Sequence, residues 1–180
     1  MQQPETARVA FSEERLKRRI SEMGAQIAAD YAGRELVVVG VLKGSMYFVA
    51  DLTRAIPMPL QVDFISIGMY PAATNQTGVV RITKDLDADI TGKHVLVVED
   101  IIRTGLTLGY LVQNLESRCP ASVSVCTLLL NPDEQLINIP IAYSGFTVTD
   151  AWLMGYGMDV GEKWRNLPYI VEIDKTAAKG

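Results

Sequence analysis

Apolar residues recur along the chain at two different periods. Leu16, Ile20, Met23 and Ile27 follow one another at spacings of four, three and four, which places them on one face of a helix predicted over residues 12–31. Ser12 stands where an N-cap would, Glu13 and Glu14 put negative charge in the first turn, and Gly33 supplies a stop. Residues 36–42 then form a β-branched run without polar alternation, the pattern of a strand covered on both faces in a parallel sheet. The same reading predicts a helix at 47–55, closed by Ile56-Pro57, and strands at 60–67, 94–98 and 122–130. A helix at 104–116 follows the second of these strands. Shorter extended pieces fall at 139–146, 152–155 and 168–173. Residues 70–78 are polar and small with no period, which predicts a loop and candidate lid beside a strand at 79–83. Strands alternating with helices predict an α/β fold with a mainly parallel sheet. No repeat, low-complexity tract or linker divides the chain, and its length suits one domain with one buried core.

Charge and cysteine usage narrow the function classes. The net charge is -4, and no basic stripe is visible, so no nucleic-acid partner is expected. No run approaches the roughly 18 consecutive apolar residues of a membrane span, and residues 1–8 do not resemble a signal peptide. Cys119 and Cys126, with a single histidine, make neither a zinc pattern nor a disulfide framework. Cys126 lies in an apolar run and is expected as a buried free thiol, and the expected compartment is the reducing cytoplasm.

The most informative segment runs Val95-Leu96-Val97-Val98-Glu99-Asp100-Ile101-Ile102-Arg103-Thr104-Gly105-Leu106-Thr107. An apolar strand leads into two carboxylates, and a Thr-Gly-x-Thr loop opens a helix. Ligands of open α/β sheets bind beyond the carboxyl ends of the strands, and a helix N-terminus offers free N–H groups and a positive dipole end to a phosphate. Gly105 permits close backbone approach, and Thr104 and Thr107 add hydroxyl donors. Glu99 and Asp100 sit where sugar hydroxyls or a hydrated Mg²⁺ would lie. An acidic turn capping a helix would explain the carboxylates alone, but not the whole string.

That string closely resembles the phosphoribosyl pyrophosphate motif of the hypoxanthine-guanine phosphoribosyltransferases, which are type I phosphoribosyltransferases. The resemblance covers nearly the whole chain. Val41-Leu42-Lys43-Gly44-Ser45 resembles the family's pyrophosphate loop, in which a Lys-Gly step, often of unusual peptide geometry, faces the leaving group. Gly155-Tyr156-Gly157-Met158-Asp159 and Arg165-Asn166-Leu167-Pro168-Tyr169-Ile170 resemble its C-terminal signature. The resemblance implies a mainly parallel sheet flanked by helices, with a small hood formed by the chain ends. It implies one domain over 1–180, with a core at about 12–130 and a base-binding hood at about 131–175. It further implies transfer of a phosphoribosyl group to hypoxanthine or guanine, giving IMP or GMP and pyrophosphate, with Mg²⁺ and a homodimeric or homotetrameric assembly.

By the same resemblance Lys43, Gly44, Glu99, Asp100, Arg103, Thr104, Gly105, Leu106, Thr107 and Arg165 bind phosphoribosyl pyrophosphate. Glu99, Asp100, Lys43 and Arg165 carry the catalysis, and Asp159, Glu99 and Asp100 form the metal side. Trp152 stacks on the purine, the Leu153 backbone reads its edge, Arg103 and Asn131 face its polar groups, and Tyr70 belongs to the lid.

The chain departs from the family's pattern on the base side. Arg103 stands where the family has an aspartate near N7 of the purine, and arginine accepts no proton at neutral pH. Asn131 stands where the family has a lysine donating to the 6-oxygen. Asp133, Glu134 and Gln135 follow where relatives often carry basic residues, and Met69 replaces a serine in the lid. An arginine fork reaching O6 and N7 of guanine would cover both missing side chains; otherwise Arg103 turns to solvent or pairs with a carboxylate such as Asp133. Two further functions therefore stay open: a nucleotide-binding protein with weak or no transferase activity, and a transferase for a different base.

Overall fold

The computed structural model describes residues 7–70, 79–149 and 151–173. Its elements in chain order are β1 (Arg8–Phe11), α1 (Glu13–Asp30), β2 (Leu36–Leu42), α2 (Met46–Ala55), β3 (Gln61–Tyr70) and β4 (Val79–Lys84). After these come β5 (His94–Ile102), α3 (Leu106–Glu116), β6 (Ser122–Leu130), β7 (Ile141–Thr147), β8 (Trp152–Met154) and β9 (Ile170–Ile173). A 3-10 turn, Pro132–Glu134, follows β6.

Six strands form the main sheet in the order β4-β3-β2-β5-β6-β7. All pairings are parallel except that of β3 with β4. The apolar runs are unbroken because both faces of the sheet are covered. Val38, Leu96, Val98, Cys126 and Leu128 pack with Leu16, Ile20, Met23 and Ile27 of α1 and with Phe48 and Leu52 of α2. Their neighbours Val37, Val39, Val95, Val97 and Val125 pack with Leu108, Leu111, Val112 and Leu115 of α3. The expected α/β layers are thus present, with Cys126 buried as a free thiol. Among the described residues no helix is long and apolar enough to cross a membrane.

The two chain ends meet in a second, antiparallel sheet ordered β1-β9-β8, which is the small hood. Met154, Leu167, Val171 and Ile173 give it a cluster of its own. Strand β1 has no counterpart in the sequence reading: four residues carry too short an alternation, and its pairing with β9 lies more than 150 residues downstream, between Arg8 and Glu172. The main sheet continues past residue 130, because β7 lies parallel to β6.

Element ends differ from expectation where pairing extends them. The strand predicted at 94–98 runs on to Ile102, because Glu99, Ile101 and Ile102 stay in register with Thr127, Leu129 and Leu130. The two carboxylates therefore ride on the end of a strand rather than in a loop. The helix expected from residue 104 starts at Leu106, since Gly105 has φ 78 and cannot continue a right-handed turn. Strand β3 reaches Tyr70 by pairing with β4. The candidate lid falls largely on residues 71–78, outside the described residues.

Three side-chain anchors hold the periphery. Ser12 caps α1 as expected, its Oγ accepting from the Arg15 N–H at 3.3 Å. Arg19 of α1 donates to the carbonyls of Gly145 (3.0 Å) and Ser144 (2.8 Å) in β7. On the other side, buried Asp63 accepts from the N–H groups of Phe64 (2.7 Å), Asp87 and Ala88 (both 2.8 Å), with Lys84 Nζ at 3.5 Å. Burial alone would push its carboxyl up, but these donors and Lys84 hold it below the ordinary aspartate range.

Asp63→Ala is therefore expected to lower the unfolding free energy by about 2–3 kcal/mol in urea titrations at neutral pH. A depressed folded-state pKa stabilises above the unfolded pKa and loses that stabilisation as pH falls through the folded value. The gap between wild type and variant should hold at neutral pH and close below roughly pH 4; a gap that persists unchanged in acid would contradict the role.

Candidate active site

Strands β2 and β5 are parallel neighbours, so both carboxyl ends open on the same edge of the sheet. Beyond β2 lie Lys43, Gly44 and Ser45 before α2, and the Leu42–Lys43 peptide is cis. The unusual peptide thus precedes the Lys-Gly step, where the sequence resemblance had put it, by one bond. Beyond β5 lie Arg103, Thr104 and Gly105 before α3. The return from β8 brings a third segment, Gly155 to Arg165, against the same edge.

The three segments meet at glycines, Gly44 against the Asp100 carboxylate and Gly157 against the Gly44 backbone. A Cβ on Gly44 would fall inside contact distance of Asp100 Oδ2, and a Cβ on Gly157, at φ +104, would overlap the Gly44 carbonyl. Glycine at both positions lets the Lys43 loop lie directly between Asp100 and the C-terminal segment.

Glu99 and Asp100 are the two carboxyls enclosed at the end of β5. Glu99 Oε2 is enclosed and has no hydrogen-bond partner. Burial, then the neighbouring Asp100, raises the Glu99 carboxyl well above its ordinary pKa. Burial also raises Asp100, opposed by the Ile101 N–H that its Oδ1 accepts at 2.9 Å and by Arg165. Carboxyls in this state gain from a cation or from hydroxyl donors supplied by a ligand.

Next to Glu99 a cavity of about 260 Å³ is lined by Ile101, Arg103, Thr104, Gly105 and Thr107, among others. Gly105 caps α3 without any side-chain bond, so the N–H groups of the first helical turn have no capping side chain. Thr104 and Leu106 are exposed and Thr107 half-buried at this mouth.

The cations on the opposite side are engaged by carboxylates. Lys43 Nζ pairs with Glu162 Oε2 at 3.0 Å. Arg165 pairs with Asp159 at 2.7 Å and with the same Glu162 oxygen at 3.4 Å, and donates to the Gly157 carbonyl at 2.8 Å. Its Nε is buried without a partner. Asp159 also accepts from the Glu162 N–H at 2.8 Å.

The base-side residues gather around a carboxylate that the sequence reading had not singled out as a site residue. Arg103 Nη1 pairs with Glu134 at 3.1 Å, and Nη2 donates to the Ala151 carbonyl at 2.7 Å. The partner is Glu134, not Asp133. Asn131 is fully buried; its Nδ2 donates to the same Glu134 oxygen at 2.7 Å, and its Oδ1 accepts from the Asp133 N–H at 3.2 Å. Its amide is thus turned into the protein rather than toward a ligand. The fork reading asks for two parallel donors from Arg103, yet both terminal nitrogens already hold a partner, so the guanidinium is fixed in place before any purine arrives. Trp152 follows Ala151 and is 42% exposed. Leu153 pairs with Glu172 across the small sheet.

A profile of the phosphoribosyl transferase domain matches residues 11–160. A hypoxanthine-guanine phosphoribosyltransferase of Mycobacterium bovis is 46% identical, over 92% of this chain and 85% of its own. A hypoxanthine phosphoribosyltransferase of Salmonella typhimurium is 42% identical over 93% and 96%. The crystal structure of a hypoxanthine phosphoribosyltransferase from Staphylococcus aureus superposes with a TM-score of 0.90, at 39% identity, covering 96% of this chain and 94% of that one. The chain belongs to the hypoxanthine-guanine phosphoribosyltransferase family.

For a member of that family the edge has a divided character. Glu99, Asp100, Thr104, Gly105 and Thr107 come together as the motif implies, and Lys43, Arg165 and Asp159 form a second group. Glu162 and Glu134 were missed as partners. Glu162 carried a faint signal, a carboxylate midway between Asp159 and Arg165. Glu134 carried none beyond its place in an acidic run. Tyr70 closes β3, and the rest of the expected lid lies outside the described residues.

The residues fit a Mg²⁺ site of one kind. Among the described residues no three His, Cys, Asp or Glu side chains converge as a cage. A hydrated Mg²⁺ shared with substrate oxygens asks for only one or two carboxylates, and the unpartnered Glu99 Oε2 suits that demand.

Gly157→Ala is expected to lower stability by about 1–3 kcal/mol, through its φ and its overlap with Gly44. Urea unfolding at the wild-type midpoint would contradict the three-segment packing.

Proposed function

We propose that this protein transfers the 5-phosphoribosyl group of phosphoribosyl pyrophosphate to N9 of hypoxanthine or guanine, yielding IMP or GMP and pyrophosphate. The observation that carries the reading is the sheet edge where Glu99, with an unpartnered Oε2 and Asp100 beside it, lines a cavity at the uncapped start of α3. The first-turn N–H groups with Thr104, Leu106 and Thr107 receive the 5-phosphate. Glu99 and Asp100 accept from the ribose hydroxyls. Lys43, beside Gly44, and Arg165 receive the pyrophosphate, which takes over the positive charge that Glu162 now balances. Glu99, Asp100 and Asp159 are the side chains that would hold a Mg²⁺, which would neutralise the diphosphate. Trp152 stacks on the purine and the Leu153 backbone reads its edge.

As the bond from C1 of the ribose to pyrophosphate breaks, positive charge grows on the sugar and negative charge on the leaving group. Fixed groups of opposite sign lower the energy of that state more than of the ground state. A lid carrying Tyr70 excludes water from the sugar. The protein acts in the cytoplasm as a homodimer or homotetramer.

A second reading rests on Arg103. It accepts no proton, and general base assistance is typically worth about 10²–10⁴-fold. A protein that binds the nucleotide with weak turnover, or that serves a different base, fits this replacement.

The test mixes protein, Mg²⁺ and phosphoribosyl pyrophosphate with hypoxanthine, guanine or xanthine and measures nucleotide. IMP or GMP formation is the expected result. GMP binding without turnover, with activity appearing in Arg103→Asp, would establish the second reading instead. Lys43→Ala is expected to lower kcat/KM for phosphoribosyl pyrophosphate by about ten- to a hundredfold; unchanged kcat/KM would remove Lys43 from the pyrophosphate site.

A further inference from the structure

We propose that Glu134 is the positioning residue of the base site: it holds the Arg103 guanidinium at the pocket mouth and balances its charge, so that Arg103 can read a 6-oxopurine. The inference rests on the transferase reading above. One Glu134 oxygen accepts from Arg103 at 3.1 Å and from Asn131 at 2.7 Å. Arg103 and Glu134 are each about one-third exposed, 34% and 33%, so the pair is shielded from water on one side and still reachable from the cavity that Arg103 lines.

The turn that carries Glu134 is locked to the loop that carries Arg103. The Asn131 N–H donates to the Ile102 carbonyl at 2.9 Å and the Leu136 N–H to the Thr104 carbonyl at 3.1 Å. Asn131 caps the turn with its Oδ1, which explains an asparagine at a fully buried position. The second Arg103 bond, to the Ala151 carbonyl, ties the guanidinium to the residue that precedes Trp152. Arginine has many rotamers, and two bonds from separate segments remove most of them before ligand arrives. The guanidinium is purely a donor. A base edge bearing a carbonyl oxygen satisfies it, and an edge bearing an amino group does not. Glu134 touches the base through Arg103 rather than directly.

The test measures KM for guanine, KM for phosphoribosyl pyrophosphate and kcat in wild type, Glu134→Ala, Arg103→Gln and the double variant Arg103→Gln/Glu134→Ala. Glu134→Ala is expected to raise KM for guanine about tenfold and to leave KM for phosphoribosyl pyrophosphate within about twofold. The double variant is expected to match Arg103→Gln alone. If Glu134→Ala does not fold, Glu134→Gln replaces it, with a smaller shift in the same direction. Equal shifts in both KM values, or losses that multiply in the double variant, overturn the proposal. If the wild type forms no nucleotide from either base, the transferase reading fails by itself. The same variants are then compared for GMP affinity by calorimetry: a tenfold loss in Glu134→Ala supports positioning, and unchanged affinity overturns it.

Discussion

Gly44 is in contact with Asp100 on one side and with Gly157 on the other, with no room for a side chain on either glycine. Three segments far apart in sequence converge here, and each brings charged groups that have no reason to meet elsewhere. The parallel pairing of β2 with β5 sets the first two beside each other. The small sheet made by both chain ends returns the third. Loosening the glycine contact would separate Lys43 from Arg165 and both from the carboxylates at the end of β5. The main sheet is well suited to hold such a contact, since apolar layers cover it on both faces and close-packed interiors yield little.

Charge is arranged differently on the two halves of the edge. On the side proposed for the leaving group, Lys43 and Arg165 each have a carboxylate in hand, through Glu162 and Asp159. On that reading, an anionic ligand would exchange one set of ion pairs for another. At the end of β5 the Glu99 Oε2 atom lacks a hydrogen-bond partner, and burial followed by the neighbouring Asp100 raises its carboxyl well above the ordinary range. The base side follows the first pattern, with Arg103 balanced by Glu134.

How much of this could be read from the chain depends on the range of the interaction. Helix α1, with its Ser12 cap, and strand β2 were legible because period and capping are local. The phosphate motif was legible as a string, and Gly105 marked where α3 begins. Strand β1 was not, since its partner β9 lies at the other end of the chain. The reach of β5 to Ile102 was not, since it is set by the length of β6 alongside it. Asn131 was expected to face a ligand because its position suggested so; its amide instead closes a turn and meets Glu134. Arg103 was expected to choose between base, solvent and Asp133, and a neighbour one residue further on settles its direction. Side-chain pairing between two loops leaves no period to detect.

Arg19 adds one consequence beyond the site. Strand β7 ends the main sheet, and an outermost strand offers unpaired backbone groups to any other extended chain. The Arg19 guanidinium occupies the Ser144 and Gly145 carbonyls from α1. Successive carbonyls of a strand point to opposite sides, so at most one of these two acceptors faces the open border, and the guanidinium fills it. The side chain that fastens α1 to the sheet thus also takes acceptors of the outermost strand out of reach of other donors.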